Sequence, residues 1–139
     1  MSDIFDTAAV RASGLSTHHA LAAALLGRKD ILTMTQQAHD AALTPDASGG
    51  LSHGERAGLA CRMARLNSEE GLAAQFLAMI GSDTVAVQIA DPGFTGAADK
   101  RLAAILRHTD LVTQDTKGVV AGDIAALTSA GVSEDDIVR

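Results

Sequence analysis

The sequence predicts an all-α domain of six to eight short helices. Three observations carry this. Apolar residues recur mostly at the helical period of 3.6. Pro45 and Pro92 both fall between periodic segments, where they mark loops. Several segments open at a serine, and two close at a glycine.

In chain order, "STHHALAAALLG" reads as a helix running from a Ser16 cap to a Gly27 stop. "RKDILTMTQQAHDAAL" places Ile31, Met34, Ala38, Ala41 and Ala42 on one face. The next helix opens at Ser52, has Glu55 three residues on as in a capping box, and runs to about Leu66. "NSEEGLAAQFLAMIG" restarts with Ser68 as cap and sets Leu72, Phe76, Met79 and Ile80 on one stripe. In "SDTVAVQIADPG", residues 83–90 are ambiguous. Val85, Val87 and Ile89 alternate like a strand, but no partner strand exists, which favours a short helix or an irregular segment. "AADKRLAAILRHTDLVTQ" is amphipathic, with Leu102, Ile105, Leu106 and Val112 inward. "VVAGDIAALTSAG" offers Val120, Ile124 and Leu127 before Gly131. "GVSEDD" then repeats the pattern of "GLSHGE": a glycine, an aliphatic residue, a serine cap and an acid at the third helical position. If the two helices are equivalent, the second should also run to about four turns.

The 139 residues suit one domain spanning 1–139, and 47% hydrophobic against 20% charged residues marks it as globular. The core is poor in aromatics, with 3 Phe, no Trp and no Tyr, and rich in alanine. Alanine favours helix but buries little area. Thin helices finished by a partner subunit fit this composition, so a homo-oligomer is expected, as a dimer, trimer or hexamer.

A net charge of −6 disfavours nucleic-acid binding, which needs a basic face. No apolar run approaches the roughly 18 residues of a membrane span. The acidic start "MSDIFD" is unlike a targeting peptide, so a cytoplasmic location is expected. The single Cys61 excludes an intrachain disulfide and is read as a buried, inert thiol. The five histidines form no metal-binding spacing, no glycine loop sits in a phosphate-binding context, and no cofactor is expected.

On a helical wheel of Ser52–Leu66, Ala57, Leu59, Ala60, Cys61, Met63, Ala64 and Leu66 form one broad arc. Gly58, Arg62, Arg65 and Glu55 lie outside it, and Arg56 falls within it. A guanidinium cannot shed its charge. Arg56 should therefore pair with a carboxylate at a buried or intersubunit site, or carry its head out to water along its stem. Glu55 could act as a general acid or base beside an apolar wall. From spacing alone, its capping role is the stronger reading. His39 is the third candidate.

"GGLSHGERAGLACRMARLNSEEGLAAQFLAMIG" and "DKRLAAILRHTDLVTQDTKGVVAGDIAALTSAGVSEDDIVR" resemble the alkylhydroperoxidase D-like, carboxymuconolactone decarboxylase (CMD) superfamily. The closest likeness is to its peroxidase-related CMD-domain branch, over residues 51–139 and more weakly back through "GRKDILTMTQQAHDAALTP". The resemblance implies an all-α oligomeric bundle of helical hairpins. In peroxidase members a Glu precedes a Cys-x-x-Cys and a His, and relays protons to the thiols. Glu55 matches that Glu. Asn67, Glu70 and Ala74 stand where the two Cys and the His belong, so dithiol peroxidase chemistry is not expected. Decarboxylase members use no dithiol, and a small-molecule ligand remains compatible. Family chains continue past "GVSEDDIV" into a long apolar helix. This chain is expected to lack that helix, as a truncated, cleaved or frameshifted product. The residues implied for a site are Glu55 as proton carrier, Arg56 as its buried neighbour or anion holder, and His39. The alternative is a non-catalytic helical assembly or binding module, in which Glu55 caps and Arg56 locks an interface.

Overall fold

A computed structural model describes residues 3–139. Among them are nine α-helices, two single 3-10 turns (Ile4–Asp6 and Thr116–Gly118) and no strand. The helices are α1 Ala8–Ser13, α2 Ala22–Leu26, α3 Lys29–Leu43, α4 His53–Leu66 and α5 Glu70–Ile80. They continue as α6 Thr84–Ile89, α7 Lys100–Gln114, α8 Ala121–Ser129 and α9 Glu134–Val138. The all-α expectation holds. No helix among the described residues is long and apolar enough to cross a membrane.

Helix α4 is the hub, packed against α3, α5, α6 and α7. It starts because Ser52 Oγ accepts the N–H of Glu55 at 3.1 Å. Arg56 through Arg62 are buried without a break, so α4 is enclosed on nearly all sides rather than along one arc. Gly58, expected outside the arc, is where α6 crosses: a Cβ there would stand 2.6 Å from the carbonyl oxygen of Ala86. Two apolar clusters flank the hub. Ala57, Cys61, Ala64, Ala73, Ile80, Ala86 and Ala90 form one with Leu72 and Phe76. Leu59, Ile89, Ile105, Leu106, Leu127 and Val132 form the other.

Several local expectations are corrected. Residues 16–27 yield a helix only at Ala22–Leu26, because the N–H of Leu21 is taken by His19 Nδ1 at 3.1 Å and the preceding residues turn. Ser68 caps nothing: it sits in left-handed backbone at φ 58°, and α5 begins from Glu69 without a side-chain cap. Residues 83–90 are helical. Asp83 accepts from the N–H groups of both Val85 and Ala86 at 3.0 Å, and this cap outweighs the alternating pattern. Helix α1 had no counterpart in the sequence reading. It buries Ala8 and Val10 and crosses α5 at Gly71, whose Cβ would lie 2.6 Å from the carbonyl oxygen of Ala12.

The apolar face of α3 is reversed. Ile31 and Met34 point outward, while Leu32, Gln36, His39 and Leu43 turn inward. Met63, Val112, Val120 and Ile124 are also exposed, because no helix among the described residues covers those sides. The two similar helix starts do share chemistry, since Ser133 Oγ accepts the N–H of Asp136 at 3.2 Å as Ser52 does for Glu55. The starts also touch. Asp136 Oδ1 accepts the N–H of Gly50 at 2.9 Å, and a Cβ on Gly50 would collide with that carboxylate. The second helix, as described, spans five residues.

Candidate functional site

The three candidate residues fall into two places. Arg56 is buried within α4, as its position in the apolar arc implies, but it meets no carboxylate and is held by main-chain carbonyls. Its Nε donates to the Leu51 carbonyl at 3.2 Å, Nη1 to Ala42 at 3.1 Å and Nη2 to Ser48 at 2.8 Å. The last turn of α3 ends in carbonyls without helical partners, and its dipole is negative there. The guanidinium satisfies one of these and ties the 44–51 loop to α4. With three of its five donors engaged by main-chain oxygens, Arg56 is a lock.

Glu55 is partly exposed at the third position of α4. Its N–H completes the Ser52 half of the capping box. The carboxylate makes no hydrogen bond or ion pair with the described residues, so the reciprocal half is not formed. Glu55 and Arg56 are neighbours on one helix, yet no bond joins their side chains.

His39 lies elsewhere, on the inward stripe of α3. Its ring stacks on Phe76 of α5, with centroids 5.8 Å apart and planes at 21°. Nδ1 stands 2.9 Å from Asp40 Oδ1 and 3.3 Å from Gln36 Nε2, which itself donates to the same carboxylate oxygen at 2.8 Å. Two donors converge on one acceptor, so Nδ1 carries the proton in the neutral ring and Nε2 keeps its lone pair. This assignment follows from the hydrogen-bond pattern. Gln36 is fixed in turn, because its Oε1 accepts the N–H of Ala8 at 2.7 Å.

The ring borders a cleft of about 540 Å³ between α1, α3 and the start of α5. That volume lies within the range of small-molecule sites. Leu32, Leu72 and Phe76 wall it, and Glu69 stands at its edge. Its hydroxyls are committed: Thr7, Ser13 and Thr35 donate to carbonyls of their own turns at 2.6, 2.7 and 2.9 Å. The groups left in the cleft to exchange a proton are His39 and Glu69, and of these only His39 is anchored by a side-chain hydrogen bond. Asp40, Gln36 and Phe76 were not anticipated. The signal was present in the sequence as Gln36 and His39 three residues apart on a stripe bounded by Leu32 and Leu43.

Cys61 is fully buried and donates to the Ala73 carbonyl at 3.4 Å. Burial raises the thiol above its ordinary pKa. The nearby Arg65 charge partly offsets this, and Glu70 adds to it. A thiol held protonated is a poor nucleophile.

The best-satisfied charge belongs to Arg62, expected on the polar edge of α4. It is almost wholly buried and binds Asp110 of α7 through two parallel bonds, Nε–Oδ1 at 2.5 Å and Nη2–Oδ2 at 2.7 Å. Its remaining donors collect the carbonyls of Ile89, Asp91, Pro92 and Phe94 after α6. Arg65 takes that of Ala90 at 2.7 Å. The α6–α7 loop is thus wrapped around two arginines of α4.

Among the described residues, no group of three or more His, Cys, Asp or Glu is placed to hold a metal ion. In comparison with known proteins, the chain matches no protein-family model, no curated protein and no solved structure.

Proposed function

We propose that this chain is a dithiol-free helical protein of the alkylhydroperoxidase D-like, CMD type, that it works as a homo-oligomer, and that His39 transfers protons to or from a small molecule held between α1, α3 and α5. The observation that carries the chemical part is the 2.9 Å contact of Asp40 with Nδ1 of His39, whose ring lines a cleft of molecular size. An imidazole with one nitrogen anchored through its N–H offers the lone pair of the other as a base. The family part rests on the resemblance over 51–139, and the single Cys61 removes the dithiol from it. Under this reading Arg56 is structural, and Glu55, with an uncommitted carboxylate, is a second acid–base group outside the cleft.

Abstraction of a proton next to a carbonyl is a reaction that one positioned base can carry out. The test is solvent-deuterium exchange into a panel of short keto acids, followed by proton NMR. Exchange above the buffer rate is expected, falling about a hundredfold or more in His39→Gln.

A second reading, a non-catalytic helical assembly, is favoured by the commitment of Arg56 to main-chain carbonyls and by the outward apolar face of α3 at Ile31 and Met34. Exchange at the buffer rate across the panel, together with a stable oligomer in light scattering, would select it. A monomer at all concentrations would remove the oligomer from both readings.

A further inference from the structure

A second cavity, of about 130 Å³, lies on the opposite side of α4 from the His39 cleft, among α4, α7, α8 and α9. Its walls are aliphatic: Leu59 from α4, Ile105 from α7, Leu127 from α8, and Val132 and Ile137 around α9. A dry apolar cavity of about 150 Å³ is large enough for benzene. The charges at the cavity offset each other. Arg101 and Asp136 stand 3.6 Å apart, Arg101 also donates to the Gly50 carbonyl at 3.0 Å, and Asp136 accepts from the Gly50 N–H. A charged guest would have to displace those bonds.

One polar group in the wall is not committed. Thr109 Oγ1 makes no hydrogen bond with the described residues, unlike Thr113 and Thr116 on the same side of the chain, which donate back to their own helix. The ring of the adjacent His108 also lines the cavity. Its Nδ1, the one buried side-chain nitrogen or oxygen among the described residues that lacks a partner, is closed off even from water and does not face the cavity.

We infer that this cavity binds a compact neutral molecule of about the size of phenol, with a ring or branched hydrocarbon body against the aliphatic walls and one hydroxyl directed to Thr109. The hydrocarbon part supplies affinity by leaving water. The hydroxyl supplies orientation, since it can both donate and accept. The site is independent of His39 and does not rest on the proposed proton transfer.

The test titrates phenol, benzene and benzoate separately into the full chain. It follows the methyl carbon–proton signals of Ile105, Leu127 and Val132. Saturable shifts confined to these methyls are expected with phenol. Thr109→Val keeps the shape and removes the hydroxyl, and should weaken phenol about tenfold while leaving benzene unchanged. Val132→Phe fills the cavity and should abolish both. If that variant does not fold, the Thr109→Val comparison alone decides. Absence of saturable shifts with phenol would overturn the proposal. So would benzoate binding as tightly as phenol, or phenol binding unaffected by Thr109→Val.

Discussion

Arg62 and Asp110 meet through two parallel N–H···O bonds, from a side chain that is almost entirely buried to one that is part-exposed. The pair joins α4 to α7, and the other guanidinium protons hold the loop between α6 and α7. Removing the arginine leaves Asp110 and the carbonyls of Ile89, Pro92 and Phe94 without the donor it supplies, while the Asp91 carbonyl keeps the N–H of Phe94. Arg62→Ala should therefore cost about 3–5 kcal/mol, the range for breaking a buried pair. Asp110→Asn keeps one acceptor oxygen and leaves the carbonyl bonds intact. It should cost less, about 1–2 kcal/mol. Urea denaturation of both variants checks the order, and equal losses would mean that the carbonyls contribute nothing.

Arg56 makes a related prediction with different chemistry. Its partners are carbonyls, so Arg56→Met leaves no carboxylate stranded but orphans the acceptors of Leu51, Ala42 and Ser48. Because the 44–51 loop can turn some of these to water, the expected loss is about 2–3 kcal/mol, near one charged hydrogen bond. A Met variant within about 0.5 kcal/mol of wild type, the range of a harmless surface change, would show that the lock is not structural.

Asp136 predicts a pH dependence. The Gly50 N–H bond chiefly holds its carboxyl below the ordinary value, and Arg101 and Arg139 add to this against the opposing effect of burial. Asp123 behaves alike, chiefly through the Val120 N–H and then Arg107. A lowered folded pKa stabilises the fold above the unfolded carboxyl pKa of about 3.9. That contribution is lost as the pH falls from there through the folded value. The thermal unfolding temperature should therefore fall on going below about pH 4. Asp136→Asn combined with Asp123→Asn should flatten that acid limb. An unchanged limb would place the sensitivity in other groups.

Cys61 should be silent in the native protein. A disulfide thiol reagent should react with it only after denaturant is added, because the thiol is fully buried and held protonated. Reduction of an organic hydroperoxide with a dithiol reductant should not exceed the background rate. Native turnover that disappears in Cys61→Ser would contradict this.

The helical class was legible because caps and period agree along most of the chain. Ser52 and Ser133 accept the bonds their positions imply. Arg56 was also legible as a charge within the apolar arc of α4, to be met there or carried out to water. Its partners were not, because main-chain carbonyls brought in by a loop leave no residue signature. Arg62 was missed for a different reason. A wheel assumes one covered face, whereas α4 is surrounded, and its polar edge is where α7 and the α6–α7 loop arrive. On α3 the apolar residues Ile31 and Met34 pointed the reading to the wrong side. The inward stripe of Leu32, Gln36, His39 and Leu43 carries two polar residues at its centre, which lowers its apolarity and marks the cleft.

The central claim is that His39 presents Nε2 as an unprotonated base while Asp40 holds Nδ1–H. A long-range proton–nitrogen NMR spectrum of the histidine rings, recorded above the pH at which His39 is charged, reads this directly. The account predicts that His39 is protonated at Nδ1 in the wild-type protein and shifts toward the Nε2–H form in Asp40→Ala. A wild-type His39 already protonated at Nε2, and unchanged in Asp40→Ala, would contradict it.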